Sequence, residues 1–562
     1  MLGFDVTALF FLAWILPASS SVDLTATPGA AGPEVVEATV QRILLSDIFT
    51  DDFDLLRRIA LVETSDGTDP VKFADGLAGG IWRLRKDAFI RTKELYLSPE
   101  DWGSYYWNIQ ESGFKIDWRA ITYEDLQVPY ISALAARIYV MMTSEHPDSV
   151  PYDLVDQMVF WKTNYNHNGN ATQFVEKVRE FQDTQICIIG VDVVFMLDAS
   201  LSVGEEGFAR SKSFVRQVVE AFNIGPNDDQ TSVGCLQFSH EVTVAFDLGD
   251  HDNKEDILKA VDDISYSGGG TALGKVIDFI RQSSFTEEHG ARRLEYAVPR
   301  IAIIVTDGKT NKEFPVLYPS ALAHSAGIMM YCIGVGDANE EELSIIASRP
   351  ASSHVLHVRD YQAIEYLRNI VASRTCKEST SVAVGQPILT DLEDGEARFV
   401  SYQIDAEEGA TLKFMTSSGL VTIYLSSKVP NPNEAVHDYK LETDGRTDVF
   451  IDPGMLGFGN HTISSRRKRS PSSQVTLFTA IYAHGNGTQL HVESSTGNTA
   501  DPGFPPAPLS PTTEVLDPGD SGQAAPQLGD VPSFATKPSS MTGALSLFFA
   551  VVCVAVVNLK FY

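Results

Sequence analysis

The chain is poor in cysteine, in basic charge and in long apolar runs. Five cysteines among 562 residues are too few for a scaffold built on disulfides, though they allow one structural bridge plus buried thiols. Lys and Arg number 43 against 74 Asp and Glu, a net charge of −31. Binding to nucleic acid without regard to sequence needs clustered cations that displace counterions from phosphates. The acidic balance therefore excludes nucleic acid as a partner and suits a soluble surface or one that gathers cations. No apolar stretch reaches the ~20 residues of a comfortable bilayer-spanning helix, and no repeat of fixed period is present. What remains is 44% hydrophobic and 21% charged, a composition for globular structure, in a chain too long for a single core.

Both ends have the pattern of processing signals. Residues 1–20, MLGFDVTALFFLAWILPASS, hold an apolar stretch from Val6 to Leu16, then Pro17 and the small residues Ala18, Ser19 and Ser20. This is the layout of a secretory signal peptide, with Asp5 where a basic residue is usual. In residues 541–562 the segment Gly543–Val557 is apolar and only Asn558–Tyr562 follow. A short terminal apolar tail after a polar, small-residue stretch is the pattern of a GPI-attachment signal, and a single membrane-spanning helix is the alternative. Either reading places the bulk of the chain on the extracellular face of the cell surface. The sequons at Asn170, Asn460 and Asn486 fit that compartment.

Four regions lie between the ends. Residues 33–185 are rich in helical periodicity and aromatic side chains. Residues 187–376 alternate strands with amphipathic helices. Residues 385–496 alternate at period two between turn signals, as half-buried strands of a β-sandwich do. Residues 499–540 are rich in Pro, Gly, Ser and Ala and read as a stalk.

The middle region carries the strongest signal. Val191–Leu197 is a continuous apolar run of the kind a buried parallel strand needs. Further strands are predicted at Thr231–Phe238, Val242–Phe246, Ile301–Val305, Met329–Val335 and Val355–Val358. Helices are predicted at Glu205–Phe222, Lys254–Ile264, Ala272–Ser283, Pro319–Ala326, Glu340–Ser348 and Tyr361–Ser373. That alternation argues for a doubly wound α/β sheet, in which ligands sit at the carboxyl ends of the strands. The polar residues fall there. The first strand runs into Asp198, Ser200 and Ser202; a glycine run ends in Thr271; another strand ends in Thr306-Asp307-Gly308. The carboxylates of Asp198 and Asp307 and the hydroxyls of Ser200, Ser202 and Thr271 are hard oxygen donors, suited to Mg²⁺ or Ca²⁺. They are too few in charge to fill a six-coordinate shell, so water or a ligand's own carboxylate must complete it. The glycine run lacks the GK[ST] ending of a phosphate loop.

These motifs, DASLS, SGGGTALG and IVTDGK, resemble those of the von Willebrand factor type A domain over about 190 residues. The resemblance implies a Rossmann-like fold and a metal-ion-dependent adhesion site made by Asp198, Ser200, Ser202, Thr271 and Asp307. It implies a divalent cation, usually Mg²⁺ with Ca²⁺ or Mn²⁺ as alternatives. Ser200 and Ser202 would coordinate directly, and Thr271 and the aspartates directly or through water. The last position would go to an Asp or Glu of an extracellular protein such as a matrix protein. In secreted members, cysteines flanking the domain commonly pair, which here implies a Cys187–Cys376 bridge. Closing a loop of that length could stabilise by up to roughly 5 kcal/mol. Cys235 and Cys332 lie in apolar strands and read as buried thiols.

The first region is similar to lysozyme-like lytic transglycosylases. Glu63 ends an apolar helix, a Gly-rich turn follows at Ala78–Leu84, and a late Tyr165-Asn166 pair closes the series. The resemblance implies Glu63 as the catalytic acid, held neutral so that it can protonate a glycosidic oxygen. The turn here reads GGIW, a departure from the family's pattern. The third region loosely resembles the small jelly-roll domains found beside secreted peptidases. It is interrupted by Arg466, Arg467, Lys468 and Arg469, which match the R-x-[KR]-R pattern of furin-like processing.

Taken together, the expectation is an extracellular, surface-anchored adhesion or matrix-binding protein that captures a protein ligand through a divalent cation. A secreted glycan-cleaving enzyme targeted by the same domain is the alternative.

Overall fold

The computed structural model describes residues 21–70, 79–96, 103–111, 114–144, 150–184, 190–227, 229–308, 315–405, 407–452, 474–485 and 487–499. The predicted signal at 1–20, the predicted stalk from residue 500 onward and the apolar tail at 541–562 lie outside them. So do Cys187, Asn460, Asn486, Arg466, Arg467, Lys468 and Arg469.

A six-stranded sheet organises the middle of the chain. Its order is Val242–Phe246, Ser232–Phe238, Asp192–Asp198, Arg300–Thr306, Ile328–Val335 and Val355–Val358. Only the first pairs antiparallel with its neighbour; the rest are parallel. Every residue of Asp192–Asp198 is buried, because a parallel strand is covered on both faces. Its side chains alternate between two cores. Val193, Phe195 and Leu197 meet Phe214, Val215 and Ile370 on one side. Val194 and Met196 meet Leu273, Ile277 and Leu343 on the other. Helices Gly204–Ala221, Lys254–Asp262 and Arg368–Thr375 supply the first core, and Leu273–Phe279, Leu317–Ser325 and Glu340–Ile346 the second. The sheet is thus doubly wound, and the predicted strands lie within a residue or so of the observed ones. The predicted helix Tyr361–Ser373 is a 3₁₀ segment, Ala363–Leu367, running into the helix Arg368–Thr375.

Residues before the sheet are helical. Pro33–Leu45 and Pro129–Thr143 each start on a proline, whose fixed φ and missing N–H suit a first turn. Pro129–Thr143 is buried almost all round, so it lies at the centre of this region's core, with Trp82, Trp118 and Trp161 fully buried around it.

After the sheet come two further sheets of five and four strands. Their inward residues, among them Val400, Tyr402, Leu412, Phe414, Ile423 and Leu477, form one shared cluster. Four strands have no counterpart in the sequence reading: Thr380–Val382, Ile388–Leu392, Tyr439–Thr443 and Arg446–Ile451. They are short, and their alternation covers too few residues to stand out. Thr380–Val382 joins the five-stranded sheet by pairing parallel to Ala397–Asp405, so this region's β-structure begins before residue 385.

The three regions contact one another directly. Val22–Asp23 pairs antiparallel with Val436–His437. Arg374 forms ion pairs with Asp51 and Asp54, and Lys377 with Glu37. A cavity of about 200 Å³ at the junction is lined from all three regions, by Val40, Leu44, Met329, Tyr331 and Phe478 among others. Among the described residues, no helix is long and apolar enough to cross a membrane.

Cys376 is disulfide-bonded. Cys235 and Cys332 are free and buried, and burial pushes the Cys235 thiol up to about 12, which makes it a poor nucleophile. Cys376→Ser is expected to cost about 2–5 kcal/mol of stability, read as a fall in melting temperature against wild type under non-reducing conditions.

Candidate metal centre

The sheet brings the sequence-predicted oxygen donors to one edge. Asp198 ends its strand and the chain turns at once, the Ser200 amide donating to Asp198 Oδ1 at 2.9 Å. Thr306, at the end of the adjacent strand, donates its hydroxyl to Asp198 Oδ2 at 2.5 Å. The next residue, Asp307, takes a hydrogen bond on Oδ1 from Ser202 Oγ at 2.9 Å. Ser200 Oγ and Ser202 Oγ lie 3.1 Å apart. Thr271 closes the ring, since a Cβ placed on Gly308 would lie 3.3 Å from Thr271 Oγ1 and 3.8 Å from Asp198 Oδ2. All five residues therefore meet, although they come from three separate stretches of chain.

Two supports hold the loops. Gly269 has φ +117°, which L side chains rarely adopt, and a Cβ there would sit 3.1 Å from Ser239 Oγ. Its carbonyl accepts from the Leu201 amide at 3.0 Å. Tyr266 donates its hydroxyl to the Ser200 carbonyl at 2.9 Å. These pin the DxSxS loop to the glycine run.

The site has a buried floor and an open top. Asp198, Ser200 and Thr271 are buried, whereas Ser202 is exposed and Asp307 half-buried. Burial raises the Asp198 carboxyl to about 6, against the donors Thr306 and Ser200 that favour the charged form. Burial raises Asp307 as well. Two carboxylates drawn out of water beside hydroxyl oxygens favour a hard cation, which relieves both the desolvation and their mutual repulsion. Among the described residues no group of three or more His, Cys, Asp or Glu is arranged to hold a metal, so the hydroxyls carry much of the donor set. Thr306 and Tyr266 belong to the site yet were not singled out in the sequence. Thr306 lies within the TDG motif, but only pairing of adjacent strands aims it at Asp198.

A second constellation forms around Glu63, in the last turn of the helix Leu55–Thr64. Its Oε1 accepts from Trp161 Nε1 at 2.8 Å and from Asn166 Nδ2 at 2.9 Å, which also lies 3.3 Å from Oε2. Tyr165 donates to the Trp82 carbonyl at 2.6 Å, and Thr64 to the Ile81 carbonyl at 2.8 Å. The GGIW turn and the Tyr-Asn pair thus both reach the end of this helix. Glu63 is 4% exposed.

Asn170 is exposed. Its Oδ1 accepts from the Thr172 and Gln173 amides at 3.0 and 3.3 Å, capping the helix Ala171–Thr184.

Residues 192–370 match the family model of the von Willebrand factor type A domain. Matrilin-4 of Mus musculus is 36% identical over 188 residues, 34% of this chain and 30% of that protein. Matrilin-1 of Gallus gallus is 36% identical over 194 residues, 34% of this chain and 38% of that protein. The collagen alpha-1(XXI) chain of Xenopus laevis is 38% identical over 189 residues, 34% of this chain and 19% of that protein. The matched segment thus spans well under half the length of each relative. Among solved structures, proximal thread matrix protein 1 from the mussel byssus aligns at a TM-score of 0.32 with 26% identity, covering 37% of this chain and 51% of that one. A form of the same mussel protein with a zinc-occupied MIDAS motif aligns at a TM-score of 0.32 with 25% identity, covering 35% of this chain and 52% of that one.

Proposed function

Since the chain contains a von Willebrand factor type A domain, we propose that it is an extracellular adhesion or matrix-binding protein that holds a protein ligand through a divalent cation. The observation that carries this is the convergence of Asp198, Ser200, Ser202 and Asp307 through hydrogen bonds of 2.9–3.1 Å, with Thr271 beside them. Matrilins and a collagen chain among the relatives support a matrix ligand.

Ser200 and Ser202 would hold the cation directly, and Thr271, Asp198 and Asp307 directly or through water. Mg²⁺ is the first choice, with Ca²⁺ or Mn²⁺ as alternatives. A bound cation supplies a positive centre with a position for an acidic side chain of the ligand. The chain's own residues do the rest: the buried floor excludes water below the site, and exposed Ser202 faces the approaching partner.

Capture from extracellular-matrix extract is expected in Mg²⁺ and not in chelator. Capture that is equal in both would sink the metal-bridged reading. A pH dependence is also expected. Asp198 with its carboxyl near 6 is ionised above that pH and protonated below it, and a proton competes with the cation. Cation affinity should therefore hold above pH 6 and fall by up to about tenfold per pH unit below it. In the cation-free protein the same raised value works the other way. Asp198 then contributes stability that is full near pH 4 and is lost as pH rises through 6. Calorimetric Mg²⁺ titrations and melting curves in chelator, both from pH 7 to 5, check the two signs.

The remaining assignments belong to the same proposal. Residues 33–185 would be a helical domain, 187–376 the type A domain, and 385–496, extended back to Thr380, a β-sandwich. Residues 499–540 would be a stalk, 1–20 a secretion signal, and 541–562 a surface anchor. Bonded Cys376 beside free Cys235 and Cys332 supports the Cys187–Cys376 bridge. Asn170 can carry a glycan on Nδ2 while its Oδ1 keeps its cap. Asn460 and Asn486 are further glycan sites, and Arg466–Arg469 a processing site, on their sequence patterns alone.

Glycan cleavage through Glu63 is the weaker reading, since Trp161 and Asn166 already occupy its carboxylate and the side chain is almost wholly buried. The full chain is expected to release no product from peptidoglycan or chitin oligomers. Product formation that disappears in Glu63→Gln would reverse that conclusion.

A further inference from the structure

Tyr361 follows the strand Val355–Val358, whose carboxyl end lies on the same edge of the sheet as Asp198 and Asp307. Its ring packs against the first turns of the helix Gly204–Ala221. A Cβ on Gly207 would meet Tyr361 Cδ2 at 2.9 Å, with Val203 Cγ1 at 3.1 Å beside it. The ring is therefore fixed between the loop that bears Ser202 and the helix that follows.

Its hydroxyl is buried and has no hydrogen-bond partner among the described residues. Asp307 and Asp198 are the two charges that act on it. Three of their four carboxylate oxygens already accept: Asp198 Oδ1 from the Ser200 amide, Asp198 Oδ2 from Thr306, and Asp307 Oδ1 from Ser202. A buried O–H left without a partner is destabilising, and native structures rarely keep one unless a water or ion completes it. An oxygen arriving with a cation would complete it here.

We propose that Tyr361 is a positioning residue of the cation site, donating its hydroxyl proton to a water in the shell of the bound divalent cation. This rests on the cation-site reading above and adds a residue outside the DxSxS, Thr and Asp set.

Tyr361→Phe keeps the ring against Gly207 and removes only the hydroxyl. In chelator the variant is expected to melt at the wild-type temperature or above it, because an unpaired buried group has gone. In Mg²⁺ its gain in melting temperature should be smaller than wild type's, and its Mg²⁺ dissociation constant weaker by about three- to tenfold, the effect of one hydrogen bond. Both are read on the full chain by calorimetry and thermal melting, with Mg²⁺ alone as the probe. A dissociation constant within twofold of wild type overturns the assignment. So does an equal loss of melting temperature in chelator and in Mg²⁺, which is what a purely structural role predicts. If wild type itself binds no Mg²⁺, the cation-site reading falls and Tyr361 falls with it. If wild type binds and the Phe variant binds equally, only Tyr361 falls.

Discussion

Asp307→Ala is expected to abolish Mg²⁺ binding and cation-dependent ligand capture while leaving the melting temperature in chelator nearly unchanged. Asp307 is half-buried and accepts from the exposed Ser202 hydroxyl at 2.9 Å. With the carboxylate gone, that hydroxyl still has Ser200 Oγ at 3.1 Å and water above it, so no buried donor is stranded. The loss in affinity should exceed the roughly 10–100-fold that follows removal of an outer-shell partner. Asp198→Ala is expected to abolish binding too, but at a cost in stability. Its carboxylate is 1% exposed and accepts from both Thr306 and the Ser200 amide. Stranding two buried donors costs about 1–3 kcal/mol each, offset in part by relief of the buried charge. Asp307 is therefore the cleaner test. Capture retained by a folded Asp307→Ala protein would refute the metal-bridged model.

Arg374→Met is expected to cost about 3–5 kcal/mol, the range for breaking a buried ion pair from one side. Arg374 lies in the last helix of the type A domain, Arg368–Thr375. Its guanidinium forks between Asp51 and Asp54, with Nη2 at 2.9 Å from Asp54 Oδ1 and Nη1 paired with Asp51 Oδ2. Asp51 is 4% exposed and Arg374 13% at the side chain. Burial raises the Asp51 carboxyl, with Arg374 pulling it back. At Asp54 burial also raises it, but Arg374 and Arg58 win and hold it low. Methionine fills the space of the stem without supplying the charge, leaving buried Asp51 unopposed, whereas the part-exposed Asp54 keeps Arg58 and Lys377. In the variant the Asp51 carboxyl should rise further above its unfolded value. Its penalty is then largest at neutral pH and shrinks as pH falls toward 4. Urea denaturation of wild type and variant at pH 7 and pH 5 measures both effects. A loss under about 1 kcal/mol at pH 7, or a penalty that grows on acidification, would show that this pair does not hold the helical region to the type A domain.

Much of the type A domain is legible in the sequence. Val193, Phe195 and Leu197 feed one core and Val194 and Met196 the other, so the strand appears in the sequence as an unbroken apolar run. Polar residues are then tolerated only where the strand leaves the cores, and Asp198 and Thr306-Asp307 mark those points. The β-region was less legible. Thr380–Val382 and Ile388–Leu392 are too short to establish an alternation, and Val22–Asp23 finds its partner at Val436–His437, far beyond any sequence window.

The sequence alone determined the doubly wound sheet, the oxygen donors at its edge and their approximate order, because periodicity and composition encode which residues leave water. Only the tertiary structure decided how the donors are shared, which hydroxyl is left over, and what holds the regions together. Thr306 is spent on Asp198, Tyr361 is left unpaired among the described residues, and Arg374 reaches Asp51 across 323 residues of chain. Glu63 likewise was visible as a carboxylate at a helix end, but its environment was set by Trp161 and Asn166, about 100 residues away. The reason is the same in each case. Burial is written locally in the pattern of apolar residues, whereas the partner of a buried polar group is whichever donor or acceptor loses its water in the same place.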